Sequence, residues 1–203
     1  MVENAEIRLV SSMVLSKDWG KLTRHEYDLK RRDGEWQRQT RECYDRGDGA
    51  TCLLFNRETG CVLLTRQFRL PVFLNGGHTS LLETPAGLLD GAGAEERMRA
   101  ELIEETGYAI SALEHLFDVY MSPGSVTEYL AFFQGNYAES ARVSAGGGNI
   151  DEGEDIEVVH VPLAEAMAMI DAGEIQDAKT IILLQRLTIN QMRQDREKAD
   201  PRL

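Results

Sequence analysis

The chain has 203 residues, 42% hydrophobic and 28% charged, enough to bury a core without disulfide or metal staples. Its formal net charge of −12 argues against non-specific DNA or RNA binding and against an anionic membrane surface. No run approaches the roughly 18 apolar residues of a membrane span, and the N-terminus, with Glu3 and Glu6, has no signal-peptide apolar stretch.

Within residues 1–50, Ile7–Val10 and Met13–Leu15 read as two short strands. His25–Lys30 and Trp36–Tyr44 read as arms of a hairpin across the Asp33-Gly34 turn signal. Lys30, Arg31, Arg32, Arg38, Arg41 and Arg46 form a basic island, either a solvated hairpin face or a patch for a phosphate-bearing ligand or an acidic partner surface. A hairpin is marginal alone, so this small antiparallel β domain, expected at 1–47, must pack on the rest of the chain or on a second chain. A two-fold dimer with exchanged N-terminal sheets is the expectation. Cys43, Cys52 and Cys61 form no C-x-x-C pair, which suggests reduced thiols and a cytoplasmic location.

From residue 48 to 203 strands alternate with helices, predicting an α/β domain with a mixed sheet. Strands are expected at Ala50–Phe55, Cys61–Arg69, Ser80–Glu83, Leu113–Tyr120, Val126–Gln134 and Ile156–Val161. Asn75–His78 reads as a loop. Ala145–Asp155 reads as a mobile, glycine-rich acidic loop, either solvated or able to bring carboxylates to a metal. Helices are expected at Ala94–Thr106, Pro162–Ile170 and Asp177–Gln191, followed by a polar, frayed tail.

The Ala94–Thr106 helix concentrates the chemistry. Glu101 and Glu105 stack one turn apart, with Glu104 on the same flank and apolar Leu102 and Ile103 beside them. Like charges so placed repel by about 0.2–0.5 kcal/mol per pair unless a cation intervenes. A surface helix, a metal site and a subunit contact all fit that helix by itself. Glu152 and Glu154, together with Arg41, Arg66 and Arg69, tip the reading toward a metal site. Oxygen ligands without nearby His or Cys suit Mg²⁺ or Mn²⁺, with the Ala86 carbonyl completing the set. The expected chemistry is water attacking one phosphorus of a metal-bridged diphosphate, arginines neutralising the phosphate oxygens and Glu152 collecting the proton.

Ala86-Gly87-Leu88-Leu89-Asp90, followed by Glu101-Leu102-Ile103-Glu104-Glu105-Thr106-Gly107-Tyr108, resembles the signature of the Nudix hydrolases. Tyr44–Gly47, Arg66–Arg69, Tyr120–Gly124, Ala145–Gly148 and Glu154–Val158 are similar to the branch that hydrolyses GDP-mannose, a relative of the ADP-ribose pyrophosphatases. The resemblance implies a Nudix α/β/α sandwich and a homodimer that uses Mg²⁺ to split a nucleotide sugar, GDP-mannose foremost, into GMP and mannose 1-phosphate. It implies metal ligation by Ala86, Glu101, Glu105 and Glu154 with Glu104 in support, substrate contacts from Trp19, Arg41, Glu42, Arg66, Arg69, Glu128 and Lys179, and Glu152 as the base. An ADP-sugar pyrophosphatase and a non-catalytic sugar-nucleotide sensor are the alternatives.

The chain departs from the family pattern. The Gly87–Gly107 spacing is one residue short; the first signature glutamate falls on Gly93 and the signature arginine on Ala100. Arg99 lies about 100° away around the helix, so Glu101 is expected to be less well oriented.

Overall fold

Residues 6–199 are described by a computed structural model, in which the chain divides into two units. The expected tail residues from 200 onward, Pro201 included, lie outside the described residues.

The first unit comprises Met1–Asp48 and Tyr120–Tyr129. Three antiparallel strands, β1 (Ile7–Lys17), β2 (Lys21–Lys30) and β3 (Trp36–Asp45), lie in that order. The two short strands expected at the start are one strand, interrupted by irregularities at Leu9/Ser11 and Val14/Ser16. The β2–β3 turn forms where the Asp-Gly signal put it: Gly34 takes φ 90°, and its N–H donates to the Arg31 carbonyl at 2.9 Å. Residues 120–129 join this unit through Tyr44, whose N–H donates to Ser125 at 2.8 Å and whose carbonyl accepts from Thr127 at 3.0 Å. Part of the basic island is neutralised within the unit. Arg38 pairs with Asp28 and Glu26, and Arg46 with Glu128.

The second unit, Gly49–Val119 with Leu130–Leu203, carries most of a seven-stranded mixed sheet. Its main path runs β10 (Glu157–Pro162), β5 (Cys61–Gln67), β4 (Gly49–Asn56), β9 (Tyr129–Asn136), β8 (Leu113–Tyr120). Two short strands pair beside that path, β6 (Leu81–Glu83) on β5 and β7 (Ala86–Leu88) on β4. The β4–β9 pairing is parallel, while β5 is antiparallel to both β4 and β10. Strand β4 is apolar almost throughout because both faces are covered. Ala50, Cys52 and Leu54 pack with Met98 and Leu102, whereas the alternate residue Thr51 bonds toward Thr84 and, through it, Thr180. Helix α2 (Ala94–Glu101) therefore covers one face. Helix α4 (Ala178–Ala199) covers the other, with α3 (Leu163–Asp171) packed on it and on β5 and β10.

Several elements differ from expectation, among them β2, which begins at Lys21 rather than His25, and β5, which ends at Gln67 rather than Arg69. Leu70–Gly76 forms a short helix, α1, with Pro71 in its first turn and Gly77 closing it at φ 73°, so that it takes in Asn75 and Gly76 of the loop expected at Asn75–His78. Strand β9 begins at Tyr129 rather than Val126, leaving Glu128 ahead of it. Helix α4 runs to Ala199, past Gln191. The acidic helix does reach Thr106, but Leu102–Thr106 is a π-helical turn ended by Gly107 at φ 81°. Such turns concentrate at functional sites.

Candidate active site

The π turn leaves backbone carbonyls at its end without helical partners, and the glycine loop supplies them. Gly147 donates to the Glu105 carbonyl at 2.9 Å and Gly148 to that of Glu104 at 3.1 Å, while Val143 and Ser144 donate to Gly107. Gly146, Gly147 and Gly148 all take positive φ, and a Cβ on Gly146 would stand 2.6 Å from the Glu105 backbone oxygen. These glycines permit close backbone contact. The first part of the loop expected at Ala145–Asp155 is hydrogen-bonded to the helix end. Strapping carries Glu154 toward the helix, its carboxylate accepting from the Asn149 N–H at 2.9 Å.

Glu101 and Glu105 are 5% and 1% exposed, so neither belongs to a solvated acidic face. The Ala86 N–H donates to Glu105 at 3.2 Å, joining β7 to the helix. Burial, followed by the charges of Glu101, Glu83 and Glu154, raises the Glu105 carboxyl well above the ordinary range, against an opposing pull from Arg69. Burial likewise pushes Glu101 up to about 7; Arg97 opposes the rise, and Glu104, Glu154 and Glu152 add to it. Glu104 is half-buried and Glu152 exposed, the latter bonded to the Asn149 amide at 3.0 Å.

A second, buried network lies beside these carboxylates. Glu83, at 1% exposure, accepts from Arg69 Nε at 2.7 Å and Lys179 Nζ at 2.6 Å. Lys179 also donates to Asp177 at 3.0 Å, and Asp177 accepts from the Thr180 N–H and hydroxyl at the start of α4. Burial works against both cations, but the carboxylates around them more than offset it and leave each above its ordinary pKa. The Lys179 ammonium is thus committed to Glu83 and Asp177. The Arg66 side chain is bonded to Glu157 at 2.9 Å, in the wall of a cavity of about 370 Å³ that also includes Glu154.

Trp19, Arg41, Glu42 and Glu128 belong to the first unit. Trp19 is 70% exposed, with the Arg46 guanidinium 5.4 Å from its ring centre. Arg41 and Glu42 are exposed neighbours on β3 and so point to opposite faces. Glu128 holds Arg46 at 2.7 Å.

Sequence reasoning missed Glu83, Asp177 and Arg97. Arg97 Nη2 lies 2.6 Å from Glu101 in an i,i+4 pair, so Glu101 is held despite Ala100. Arg99 is turned elsewhere, toward Glu95 and the Ile110 carbonyl. The i,i+4 spacing was the available signal for Arg97. For Glu83 it was an acid inside an apolar strand, which burial obliges to find a cation.

Residues 45–184 match the NUDIX domain model. The chain belongs to the Nudix family. Residues 6–44 match the GDP-mannose pyrophosphatase NudK N-terminal domain. The chain is 54% identical to a GDP-mannose pyrophosphatase of Pectobacterium atrosepticum over 92% of its own length and 96% of that protein's. It is 50% identical to one of Citrobacter koseri over 90% and 95%. A solved structure titled as an ADP compounds hydrolase superposes with a TM-score of 0.67 at 18% identity over the whole of both chains, a likeness of fold alone.

Among the described residues no three His, Cys, Asp or Glu side chains are grouped so as to hold a metal ion. The candidate donors Ala86, Glu101, Glu105 and Glu154 are nevertheless of the chemical kind that a hard divalent cation takes. The set is all oxygen, Glu154 raises the proton affinity of both Glu101 and Glu105, and a Cβ on Gly87 would collide with the Glu101 carboxylate, which glycine leaves in place. Among the described residues no helix is long and apolar enough to cross a membrane.

Proposed function

We propose that this chain is a Mg²⁺-dependent nucleotide-sugar pyrophosphatase that hydrolyses GDP-mannose to GMP and mannose 1-phosphate. The observation carrying the chemistry is the buried Glu101–Glu105 pair, roofed by the strapped loop that brings Glu154. The substrate assignment is supported by the relatives at 54% and 50% identity.

Ala86, Glu101, Glu105 and Glu154 would hold the cation, with Glu104 in support. Mg²⁺, or Mn²⁺ in its place, supplies charge neutralisation for the diphosphate and acidifies a water. Glu152 takes the proton of the attacking water, whose oxygen bonds to one phosphorus as the bridging P–O bond breaks. Arg69 gives its Nε edge to Glu83 and turns its terminal nitrogens to phosphate oxygens. Arg66 lines the cavity beside Glu154, and Lys179 acts by holding Glu83. Trp19, Arg41, Glu42 and Glu128 serve the nucleoside and sugar ends.

The working form is a homodimer in which exchanged first units complete the two sites. Strand β1 supports this by exposing Ile7, Leu9, Val10, Met13, Val14 and Leu15. The three free cysteines support a cytoplasmic setting, and the net charge of −12 disfavours nucleic acid as a partner.

The test is a panel of GDP-mannose, GDP-glucose, ADP-ribose and ADP-glucose with Mg²⁺, read by phosphatase-coupled release of phosphate. GDP-mannose is expected to be turned over fastest. A preference for ADP-ribose contradicts the substrate assignment, and no turnover of any of the four contradicts the enzymatic one.

A further inference from the structure

The family pattern places an arginine directly before its helix glutamate, and this chain has exposed Ala100 there. An arginine at that position would sit about 100° around the helix from Glu101, whereas a residue four earlier sits only about 40° away, on the same face. Arg97 occupies that closer position. Its Nη2 lies 2.6 Å from Glu101 Oε1, and its Nε donates to the Leu88 carbonyl at 3.0 Å.

The two acceptors belong to different walls of the site. Leu88 ends β7, the strand that begins at Ala86, and Glu101 ends α2. One planar guanidinium therefore ties strand to helix through two donors, Nε and Nη2, held in fixed relative geometry, which lysine cannot reproduce. Between them lies Gly87, against whose backbone the Glu101 carboxylate is pressed. Glu105 is tied to the same strand by the Ala86 N–H. The side chain of Arg97 is 29% exposed and that of Glu101 only 7%, so Glu101 has little water to orient it if the guanidinium is removed.

We propose that Arg97 is a positioning residue that clamps Glu101 onto the Ala86–Leu88 strand, fixing the spacing between the helix carboxylates and the strand carbonyl that a divalent cation requires. The clamp rests on the reading of Glu101 as a cation ligand. A guanidinium beside a cation also repels it, so the clamp must outweigh that repulsion. With Nε spent on the Leu88 backbone, only the terminal nitrogens are left for Glu101, which favours orientation over competition. Groups that orient metal ligands from behind typically change affinity or activity by about 10–100-fold when removed.

The experiment titrates full-length protein with Mn²⁺ alone, following free Mn²⁺ by electron paramagnetic resonance, for wild type, Arg97→Met and Arg97→Lys. Steady-state kinetics with Mg²⁺ and GDP-mannose run in parallel. Arg97→Met is expected to weaken Mn²⁺ binding and lower kcat, each by about tenfold or more, with KM changed far less. Arg97→Lys keeps the charge but reaches one acceptor, and should recover only part of the loss. Unchanged or tighter Mn²⁺ binding in Arg97→Met overturns the clamp, since the guanidinium would then be a competitor. Full recovery in Arg97→Lys overturns the two-acceptor geometry and leaves charge alone. Wild-type protein that binds no Mn²⁺ refutes instead the metal reading beneath the clamp, and is recognised without any variant.

Discussion

The buried network beneath the site offers a sharp energetic test. In Lys179→Met, Glu83 keeps only Arg69, whose side chain is 39% exposed, while its own carboxylate stays almost wholly buried. Asp177 still has its bonds to the Thr180 N–H and hydroxyl, so the unpaired burden falls on Glu83. Breaking a buried pair from one side typically costs about 3–5 kcal/mol. For a chain of this size that corresponds to a fall in Tm of roughly 6–20 °C. Glu83→Gln should cost less than Lys179→Met, because Lys179 retains Asp177 at 3.0 Å. In the double variant no buried charge is stranded at Glu83, so its loss should fall short of the sum by about 0.5–3 kcal/mol. Urea unfolding of all four proteins, in EDTA to remove cation binding from the comparison, measures these quantities. A Lys179→Met midpoint equal to wild type, or strict additivity in the double variant, would refute the account of the network.

Three further outcomes come from the site itself. Glu101 has a folded pKa raised from 4.5 to about 7, so its contribution to stability is fully present below 4.5 and is lost as pH rises through 7. Relative to wild type in EDTA, Glu101→Gln should therefore match near pH 4.5 and be more stable at pH 7.5 by up to roughly 3 kcal/mol; a less stable Gln variant at pH 7.5 contradicts the raised value. Glu105→Gln should lower kcat by at least about 10²-fold, and near-normal turnover excludes it as a principal ligand. Gly146→Ala must adopt φ 70° and push against the Glu105 carbonyl. It should cost about 1–3 kcal/mol and raise the Mg²⁺ concentration needed for half-maximal rate, and an unchanged Mg²⁺ dependence shows that the strap does not set the site.

The parts of the site that depend on helical spacing were legible in the residues alone. Glu101, Glu104 and Glu105 share one flank because 3.6 residues per turn puts them there, and Gly107 stops the helix as its position suggested. The π turn was not legible, because the widened hydrogen bonding depends on the Ser144–Gly148 segment that is folded against it from elsewhere in the chain. The same segment shows what glycine content leaves open. Positive φ serves mobility and close packing equally well, and only the neighbouring backbone decides between them. Helix α1 was hidden by its length and by the lack of a polar cap. Arg69 was marked for its charge and Lys179 through the family resemblance, but their common partner Glu83 stands 96 residues from Lys179, a pairing no local pattern encodes. Arg97 was readable from its spacing, yet only Arg99, next to the signature position at Ala100, was weighed and set aside for lying about 100° around the helix.

The central claim is cleavage of the diphosphate bridge by a cation-dependent site, and the products of GDP-mannose hydrolysis test it most directly. ³¹P NMR of the full-length protein with GDP-mannose and Mg²⁺ should show GMP and mannose 1-phosphate appearing in equal amounts, and nothing forming in EDTA. GDP appearing with free mannose, or hydrolysis undiminished by EDTA, would contradict it.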